Sequence, residues 1–391
     1  MVKVKKKRKE ENNELKFYSL DRIKKCNAHY NVIFGMRSNG KTYAVQYEAL
    51  KNYVERGEQM AIIRRYDVDY IGKRGQETFR NLVVNKYAGN RVEQLTNGEW
   101  TDIIYWSSRW YLAKYNEKGD RIRAENPFCY AFCLSGGEHD KSTSYPNITT
   151  ILFDEFITRN YYLPDEFVLF TDILSTIIRE RDNVTIYMCG NTVNKYNPYF
   201  KEMGLDNAGK MEQGDLQVYQ FAVRKDKKTG KEVVMKVAVE YADNPNPEGK
   251  PSDIYFAFNN PKLQMITNGV WELALYPHLP IEYKTARIDF IFFIIWEGIV
   301  LQCEIMELQG MAFIYIHAKT TPLKDVDNDL IYSTEYNPRY NWRRKLNQAP
   351  DEIGRKIKWL FDMDKVFYQD NEIGDVVRNY RNWCKTDKGI L

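Results

Sequence analysis

The sequence has no apolar run long enough to cross a membrane. The longest run, at residues 290–296, is far short of the roughly 18 residues that a membrane-spanning helix needs. The basic run at residues 3–9 is followed by no apolar stretch, so we expect no secretory signal. With four histidines and six scattered cysteines, neither a zinc site nor a disulfide framework is expected. We therefore expect a soluble intracellular protein with reduced, buried thiols.

The composition is that of a folded protein with several domains. Dividing 391 residues by a typical domain length of about 150 gives two or three domains. Hydrophobic residues make up 43% of the chain and aromatic residues 14%, which excludes a disordered chain. The net charge of +4 is too small for a protein coated with basic residues.

The pattern along the chain predicts a tail, two domains and a region between them. In the first 200 residues, short apolar strands alternate with helices, which predicts a three-layer α/β domain with a mainly parallel sheet. Residues 285–318 are strand-like and 351–384 are helical, which predicts a smaller α+β domain. The expected boundaries are a basic flexible tail at 1–17, a P-loop domain at 18–205, a linker or lid at 206–280 and a C-terminal domain at 281–391.

The segment Gly35-Met-Arg-Ser-Asn-Gly-Lys-Thr42 matches the P-loop pattern G-x-x-x-x-G-K-[ST]. It follows an apolar strand predicted at 31–34 and precedes a helix predicted at 41–54. Backbone N–H groups and the helix N-terminus would surround the β-phosphate, while the lysine reaches the β- and γ-phosphates and the threonine binds Mg²⁺. The expected nucleotide-binding residues are Gly35, Arg37, Ser38, Asn39, Gly40, Lys41 and Thr42.

Two acidic residues follow an apolar strand predicted at 148–153. Asp154 is expected to hold Mg²⁺ together with Thr42, and Glu155 to polarise the attacking water as a general base. A second acid at this place favours hydrolysis over transfer to another acceptor. Asn191, at the end of the next predicted strand, would either sense the γ-phosphate or belong to a simple strand-end turn.

Arg179 and Arg181 follow a helix predicted at 166–178 and have two interpretations. They would complement the dipole at the helix C-terminus. Alternatively, Arg179 would be an arginine finger donated to the nucleotide of a neighbouring subunit.

Two other classes of nucleotide-binding protein fit less well. Leu134-Ser-Gly-Gly-Glu138 is similar to the signature of ABC ATPases, but the segment after it contains Pro146 and has no helical periodicity. Residues 194–197 lack the aspartate of a guanine-specificity motif.

Several segments together resemble the DNA-encapsidation ATPases of small podoviruses. These are ring-forming genome-packaging motors of the FtsK/HerA- and terminase-like ASCE P-loop group. The resemblance covers residues 18–205 well and residues 292–318 and 366–384 faintly. It is carried by the P-loop, Arg64-Arg65, Lys141 with Tyr145-Pro-Asn147, Phe153-Asp-Glu-Phe-Ile157, Arg179-x-Arg181, and Asn191 with Asn197-Pro-Tyr-Phe200.

The resemblance implies an ATP-driven translocase of double-stranded DNA that packages a viral genome into a preformed prohead. It would use ATP and Mg²⁺ and form a homomeric ring at the portal, a pentamer as in the family, with or without a scaffold RNA. Arg179 would be the trans-acting finger and Lys141 a second trans-acting basic residue. The protein would act in the host cytoplasm, dock on the prohead transiently and be absent from the mature virion.

Two alternatives to this function remain open. One is another ASCE DNA pump or a helicase with no link to capsids. The other is a nucleotide-dependent structural or membrane-trafficking switch.

The family's C-terminal domain resembles a degenerate RNase H-like nuclease that binds nucleic acid without cutting it. Asp289 lies at the edge of the candidate first strand, and Glu304 and Glu307, three apart on the next strand, would point to opposite faces. No metal triad is therefore expected. A basic group would contact phosphates, or would be a solvated face; its members are Arg343, Arg344, Lys345, Arg355, Lys356 and Lys358.

Overall fold

The computed structural model describes residues 16–136, 143–159, 162–225, 232–250, 254–255, 265, 268–272 and 274–386. They fall in two compact units. The first unit takes its residues from 1–157, 169–192 and 205–270, and the second from 158–168, 193–204 and 271–391. The predictions for Lys141 and for residues 1–15 of the tail fall outside the described residues.

The first unit is built on one large sheet. Its strands are β1 (Tyr30–Gly35), β2 (Gln59–Arg64), β3 (Asp102–Trp106), β4 (Arg109–Tyr115), β5 (Arg121–Arg123), β6 (Cys129–Cys133), β7 (Ile148–Asp154), β8 (Thr185–Asn191), β9 (Leu216–Lys225) and β10 (Glu232–Tyr241). Among the described residues the strand order is β3-β4-β6-β2-β7-β8-β1-β10-β9, and β5 pairs with β4.

The six strands from β6 to β10 in this order are parallel. Such strands are covered on both faces and therefore carry continuous apolar runs. In β1, Val32, Ile33 and Phe34 are all fully buried. Strand β8 lies between β1, which leads into the P-loop, and β7, which ends at Asp154. The large, mainly parallel sheet confirms the predicted α/β fold class of this domain.

Two long helices flank the sheet where they were predicted. They are α2 (Lys41–Arg56) and α6 (Glu166–Ile178). Val45, Ala49 and Leu50 recur at helical spacing in α2 and are buried in a core cluster that also contains Trp110. The shorter helices are α1 (Asp21–Lys24), α3 (Lys73–Glu77), α4 (Arg80–Val83) and α5 (Arg91–Leu95).

The predicted linker or lid at 206–280 is wrong for residues 216–241. These residues form the antiparallel pair β9 and β10, and β10 runs parallel to β1. Val237, Ala238 and Val239 are fully buried next to β1. The segment 243–252 that follows this hairpin is rich in Pro and Gly and obscured it, and β9 is a half-exposed edge strand with a weak apolar pattern.

The second unit has a smaller mixed sheet. Its strands are β11 (Arg287–Trp296), β12 (Ile299–Leu308), β13 (Met311–Ala318), β14 (Ile331–Ser333), β15 (Trp342–Arg343) and β16 (Val366–Tyr368), in the order β15-β14-β11-β12-β13-β16. The first three form an antiparallel meander with tight turns at Gly298 and Gly310, both at positive φ. Strands β14 and β15 extend the sheet in parallel from β11.

The described residues of the second unit form the helices α7 (Pro198–Glu202), α8 (Glu352–Asp362) and α9 (Asn371–Thr386). The predicted helical region at 351–384 is confirmed, except that β16 interrupts it. This three-residue strand is too short to show a period of its own in the sequence. In the part of the chain that the structure describes, no helix is long and apolar enough to cross a membrane.

Candidate active site

The P-loop connects β1 to α2 through a turn that needs two glycines. Gly40 is the N-cap of α2 at φ 97°, and Gly35 has φ 153°. A Cβ at Gly40 would lie 3.2 Å from the Cβ of Phe17, and one at Gly35 would lie 3.0 Å from the carbonyl oxygen of Ala242. Among the first N–H groups of α2, that of Lys41 donates to Asn39 Oδ1 at 3.4 Å. N–H groups at a helix N-terminus have no partner within the helix and can meet an anion.

Lys41 is buried inside this loop, with 5% of its side chain exposed. Its Nζ donates hydrogen bonds to the carbonyl oxygen of Met36 (2.7 Å) and to Asn39 Oδ1 (3.1 Å). Burial lowers the pKa of Lys41 to about 8; the charge of Lys250 acts in the same direction and that of Asp154 opposes it. The ammonium group is therefore held by neutral oxygens and is poised to gain from an anionic partner.

Thr42, in the first turn of α2, is in contact with Asp154, the last residue of β7. Thr42 Oγ1 donates to Asp154 Oδ1 at 2.7 Å, and Arg64 Nη2 donates to Asp154 Oδ2 at 2.6 Å. Asp154 is 7% exposed. A hydroxyl and a carboxylate side by side are the oxygen ligands that Mg²⁺ accepts, so this pair fits the ion that was predicted here.

Glu155 follows Asp154 in a conformation that is uncommon for a side chain with a Cβ. Its φ is 59° and its side chain is exposed. The buried Arg65 fixes this turn, because Nη1 donates to the Glu155 carbonyl (3.2 Å) and Nη2 to the Phe156 carbonyl (2.9 Å). Strain of this kind persists only where the surroundings determine it, and it often accompanies function. The turn presents the Glu155 carboxylate to solvent beside the acidic end of β7.

Asn191 ends β8, the strand between β1 and β7. It is the register partner of Gly35, and its Oδ1 accepts a 3.4 Å hydrogen bond from Lys41 Nζ. The structure therefore brings together Lys41, Thr42, Asp154 and Asn191 at the carboxyl ends of neighbouring parallel strands, where ligands bind in open α/β sheets. Of the other P-loop residues, Asn39 is buried, and Arg37 and Ser38 are exposed.

The two arginines after α6 have different surroundings. Arg181 donates to the carbonyls of Pro146, Ile148 and Ile177, so its role is structural. Arg179 is exposed at φ 50°, and its Nη2 donates to the Thr143 carbonyl at 2.8 Å. That one exposed contact leaves Arg179 available for another partner.

Sequence reasoning missed three contributions to the loop. Tyr18 N donates to the Asn39 carbonyl at 2.8 Å, and Lys250 Nζ donates to the Ser38 carbonyl at 3.2 Å. Gly269 lies against the loop at φ 70°, where a Cβ would come within 2.3 Å of the Met36 Cβ. The Asn268-Gly269 dipeptide is a turn signal, but no pattern connects residues so distant in sequence with the P-loop.

The predicted nucleic-acid-binding residues of the second unit are mostly engaged in local contacts. Arg343 donates to Asp351, the N-cap residue of α8, and its guanidinium lies beside the Tyr332 ring. The Arg344 guanidinium lies 5.3 Å from the centre of the Trp383 ring. Lys356 forms an ion pair with Asp289 and Lys358 with Asp362. Arg355 and Lys358 are exposed on α8, and Lys345 is half-buried.

The acidic residues of the second unit form pairs. Asp289 lies at a bulge in β11 and contacts Arg287 as well as Lys356. Glu304 accepts from His317 on β13, which lowers the pKa of Glu304. Within the described residues, no group of three or more His, Cys, Asp or Glu side chains could hold a metal ion.

A comparison of the sequence with protein families matches residues 114–211 to the podovirus DNA encapsidation protein (Gp16) family. This chain is similar to podovirus DNA encapsidation proteins. The DNA packaging protein of Bacillus phage B103 is 28% identical over 179 residues, which are 45% of this chain and 48% of that protein. The DNA packaging protein of Bacillus phage phi29 is 28% identical over 191 residues, 48% of each chain. The match thus spans about half the length of these relatives.

Solved packaging motors have the same fold. A chain of the bacteriophage Phi-29 viral genome packaging motor assembly superposes with a TM-score of 0.53 at 19% identity, covering 93% of this chain and 96% of that one. The Phi-28 gp11 DNA packaging motor gives a TM-score of 0.51 at 16% identity, covering 96% and 99%. At these identities the likeness shows the fold of both units, and the resemblance noted in the sequence is confirmed.

Proposed function

We propose that this protein is an ATPase that drives double-stranded DNA into a viral prohead. The observation that carries the proposal is the contact between Thr42 of the P-loop and Asp154 at the end of β7, with the Glu155 turn directly after it. The similarity to packaging proteins supports DNA as the substrate that moves and a prohead as the partner.

The nucleotide would bind at the N-terminus of α2. Lys41 would leave the carbonyl of Met36 and pair with the β- and γ-phosphates, since an ammonium group gains more from an anion than from a neutral carbonyl. Thr42 and Asp154 would hold Mg²⁺, which would neutralise phosphate charge. Glu155 would accept a proton from the attacking water, and Asn191 would donate to the γ-phosphate through its amide.

We infer that the ring completes each site. Arg179 is exposed, and in the proposed ring it would reach the nucleotide of the neighbouring subunit, with Lys141 as a second basic residue in trans. The second unit would contact nucleic acid through exposed basic residues of α8 and would not cut it. The protein would act in the host cytoplasm as a homomeric ring, a pentamer by family resemblance, docked on the portal during packaging only.

The test is ATP hydrolysis by the purified full chain, measured alone, with double-stranded DNA, and with DNA and empty proheads. We expect DNA to stimulate turnover, and proheads to stimulate it further and to protect DNA from nuclease. Stimulation by DNA without any effect of proheads would favour a DNA pump or helicase unrelated to capsids. A rate of ATP hydrolysis that DNA does not change would favour a nucleotide-dependent switch.

A further inference from the structure

A cleft of about 320 Å³ lies within the second unit and shares no residue with the candidate active site. Two of its walls are residues 162–168 and 196–202, and the others come from the β11–β12 turn and from α9. Five aromatic side chains line it: Tyr162, Phe167, Tyr196, Trp296 and Trp383. Lys195 Nζ already lies 5.3 Å from the centre of the Tyr196 ring, and the Arg344 guanidinium lies 5.3 Å from that of the Trp383 ring, so rings of this cleft do attract cations. The rings of Tyr162, Phe167 and Trp296 offer further negative π-faces to a bound group.

The charged groups of the cleft are mainly acidic. Four carboxylates line it, against one ammonium group; they are Asp165, Glu166, Glu202 and Glu297, with Lys201. Burial raises the pKa of Glu297, the charge of Lys201 lowers it, and the charge of Glu202 raises it. Such a lining repels phosphates and attracts cations, and the aromatic faces act in the same direction.

Two buried N–H donors on the lining have no acceptor among the described residues. They are Trp296 Nε1 and Asn197 Nδ2, on side chains that are 9% and 3% exposed. The oxygen of the Asn197 amide is in use, because it accepts from Phe200 N at 3.1 Å. A buried donor without a partner costs free energy, so both groups favour a ligand that brings acceptors.

We propose that this cleft binds a peptide segment of a partner protein through a lysine or arginine side chain. The cationic end would lie among the rings and carboxylates, and peptide carbonyls would accept from Trp296 and Asn197. A cation alone would leave both donors unpaired, and a nucleic acid would bring its phosphates next to four carboxylates. A basic peptide satisfies both sets of groups.

The test uses a fluorescent peptide Val-Lys-Val-Lys-Lys-Lys-Arg-Lys, which has the sequence of residues 2–9 of this chain and the required chemistry. Its anisotropy is titrated with the full-length protein at low salt. We expect a Kd of about 10–100 μM. Glu297→Gln combined with Asp165→Asn should weaken binding at least about fivefold. Trp296→Phe should weaken it by about threefold, because a smaller aromatic face remains and the indole N–H is lost.

Asp362→Asn combined with Glu352→Gln is the matched control, because it also removes two carboxylates of the same unit, both exposed and outside the cleft. We expect it to change the Kd less than about twofold. Equal weakening by this control and by the double charge variant of the cleft would mean diffuse attraction and would overturn the proposal, as would absence of peptide binding. Cleft-dependent binding of a labelled dT8 oligonucleotide in place of the peptide would also overturn it. Thermal melting of each variant checks folding, and the charge variants decide the outcome if Trp296→Phe does not fold.

Discussion

Thr42 Oγ1 donates a 2.7 Å hydrogen bond to Asp154 Oδ1, although the two residues are 112 positions apart in the chain. Thr42 is the second residue of α2, and Asp154 ends β7, which lies two places from β1 in the sheet. The contact unites the two halves of the proposed ATP site. The two halves do different parts of the proposed chemistry, so substitutions in one half should give different defects from substitutions in the other.

Lys41→Ala and Glu155→Gln should give different defects. We expect Lys41→Ala to lose nucleotide binding, because the ammonium group pairs with phosphate in the bound state. Glu155→Gln should bind ATP normally and hydrolyse it about 10²–10⁴ times more slowly, since a general base is lost. Nucleotide binding by calorimetry and phosphate release measure the two steps. The controls are Lys51→Ala and Glu55→Gln, because both residues are exposed on α2. Hydrolysis by Glu155→Gln at the wild-type rate would show that the base has been assigned wrongly.

Arg65→Lys should lower turnover without lowering ATP affinity. The guanidinium of Arg65 donates to the carbonyls of both Glu155 and Phe156, and a lysine ammonium group cannot reproduce that fork. The Glu155 turn would then relax from its positive φ. We expect kcat to fall about tenfold with KM nearly unchanged, as for an interaction that acts on the transition state. Arg56→Lys, on the solvent side of α2, is the control; equal effects of the two substitutions would contradict the positioning role.

The sequence predicted which residues come together at the proposed ATP site better than it predicted what surrounds them. The P-loop and the Asp154-Glu155 pair could be found because local patterns, an apolar strand followed by a short motif, carry them. The positions of Tyr18, Lys250 and Gly269 could not be predicted, since each approaches the P-loop through long-range packing. The β9–β10 hairpin was missed because β9 is a half-exposed edge strand with a weak apolar pattern, and because the pairing of β10 with β1 joins residues that are about 200 positions apart.

The basic group of the second unit illustrates the same limit. Arg343 and Arg344 have the charge of phosphate ligands, and nothing in the sequence shows that Asp351 and Trp383 would lie next to them. Whether a charged side chain is free or paired is decided by tertiary structure. The role of these residues in binding nucleic acid remains a prediction.

Arg179→Ala should bind ATP and hydrolyse it slowly. An arginine finger stabilises charge in the transition state, so its loss should reduce turnover by about 10³-fold. In mixtures with Glu155→Gln subunits, part of the activity should return, because each variant supplies the group that the other lacks. Glu180→Ala, the neighbouring exposed residue, is the control. If mixed rings assemble and show no recovery, Arg179 acts only within its own chain, where it donates to Thr143.

Nucleotide affinity should fall as the pH rises above about 8. Burial lowers the pKa of Lys41 from 10.5 to about 8 in the free protein, whereas bound phosphate favours its charged form. At a pH above the pKa of the free protein and below that of the nucleotide-bound protein, binding must therefore take up a proton, and affinity should fall by up to about tenfold per pH unit. The unfolded chain binds the lysine proton more tightly than the folded protein does, so this group makes the free protein more stable as the pH rises through the same window. Titration calorimetry at pH 7.5–9.5 measures the first slope. Lys41→Arg, which stays charged, should remove it; an unchanged slope would assign the effect to another group.

Substitutions in the basic group of the second unit should separate structural residues from those that contact nucleic acid. Arg343→Gln should lower the melting temperature, because it removes the partner of Asp351 at the start of α8 and leaves a half-buried site unfilled.

Arg355→Gln with Lys358→Gln should leave stability within about 0.5 kcal/mol, since both side chains are exposed. If α8 contacts phosphates, the double variant should bind DNA more weakly and reduce the salt slope of log K by up to about 2. Basal ATP hydrolysis should not change in either variant. Filter binding at several salt concentrations measures the slope, and Lys118→Gln in the β4–β5 turn of the first unit is the exposed control.

Plasmid incubated with the protein and Mn²⁺ should stay intact, because the described carboxylates form no metal cluster. Nicking that Asp289→Asn abolishes would instead show a working nuclease.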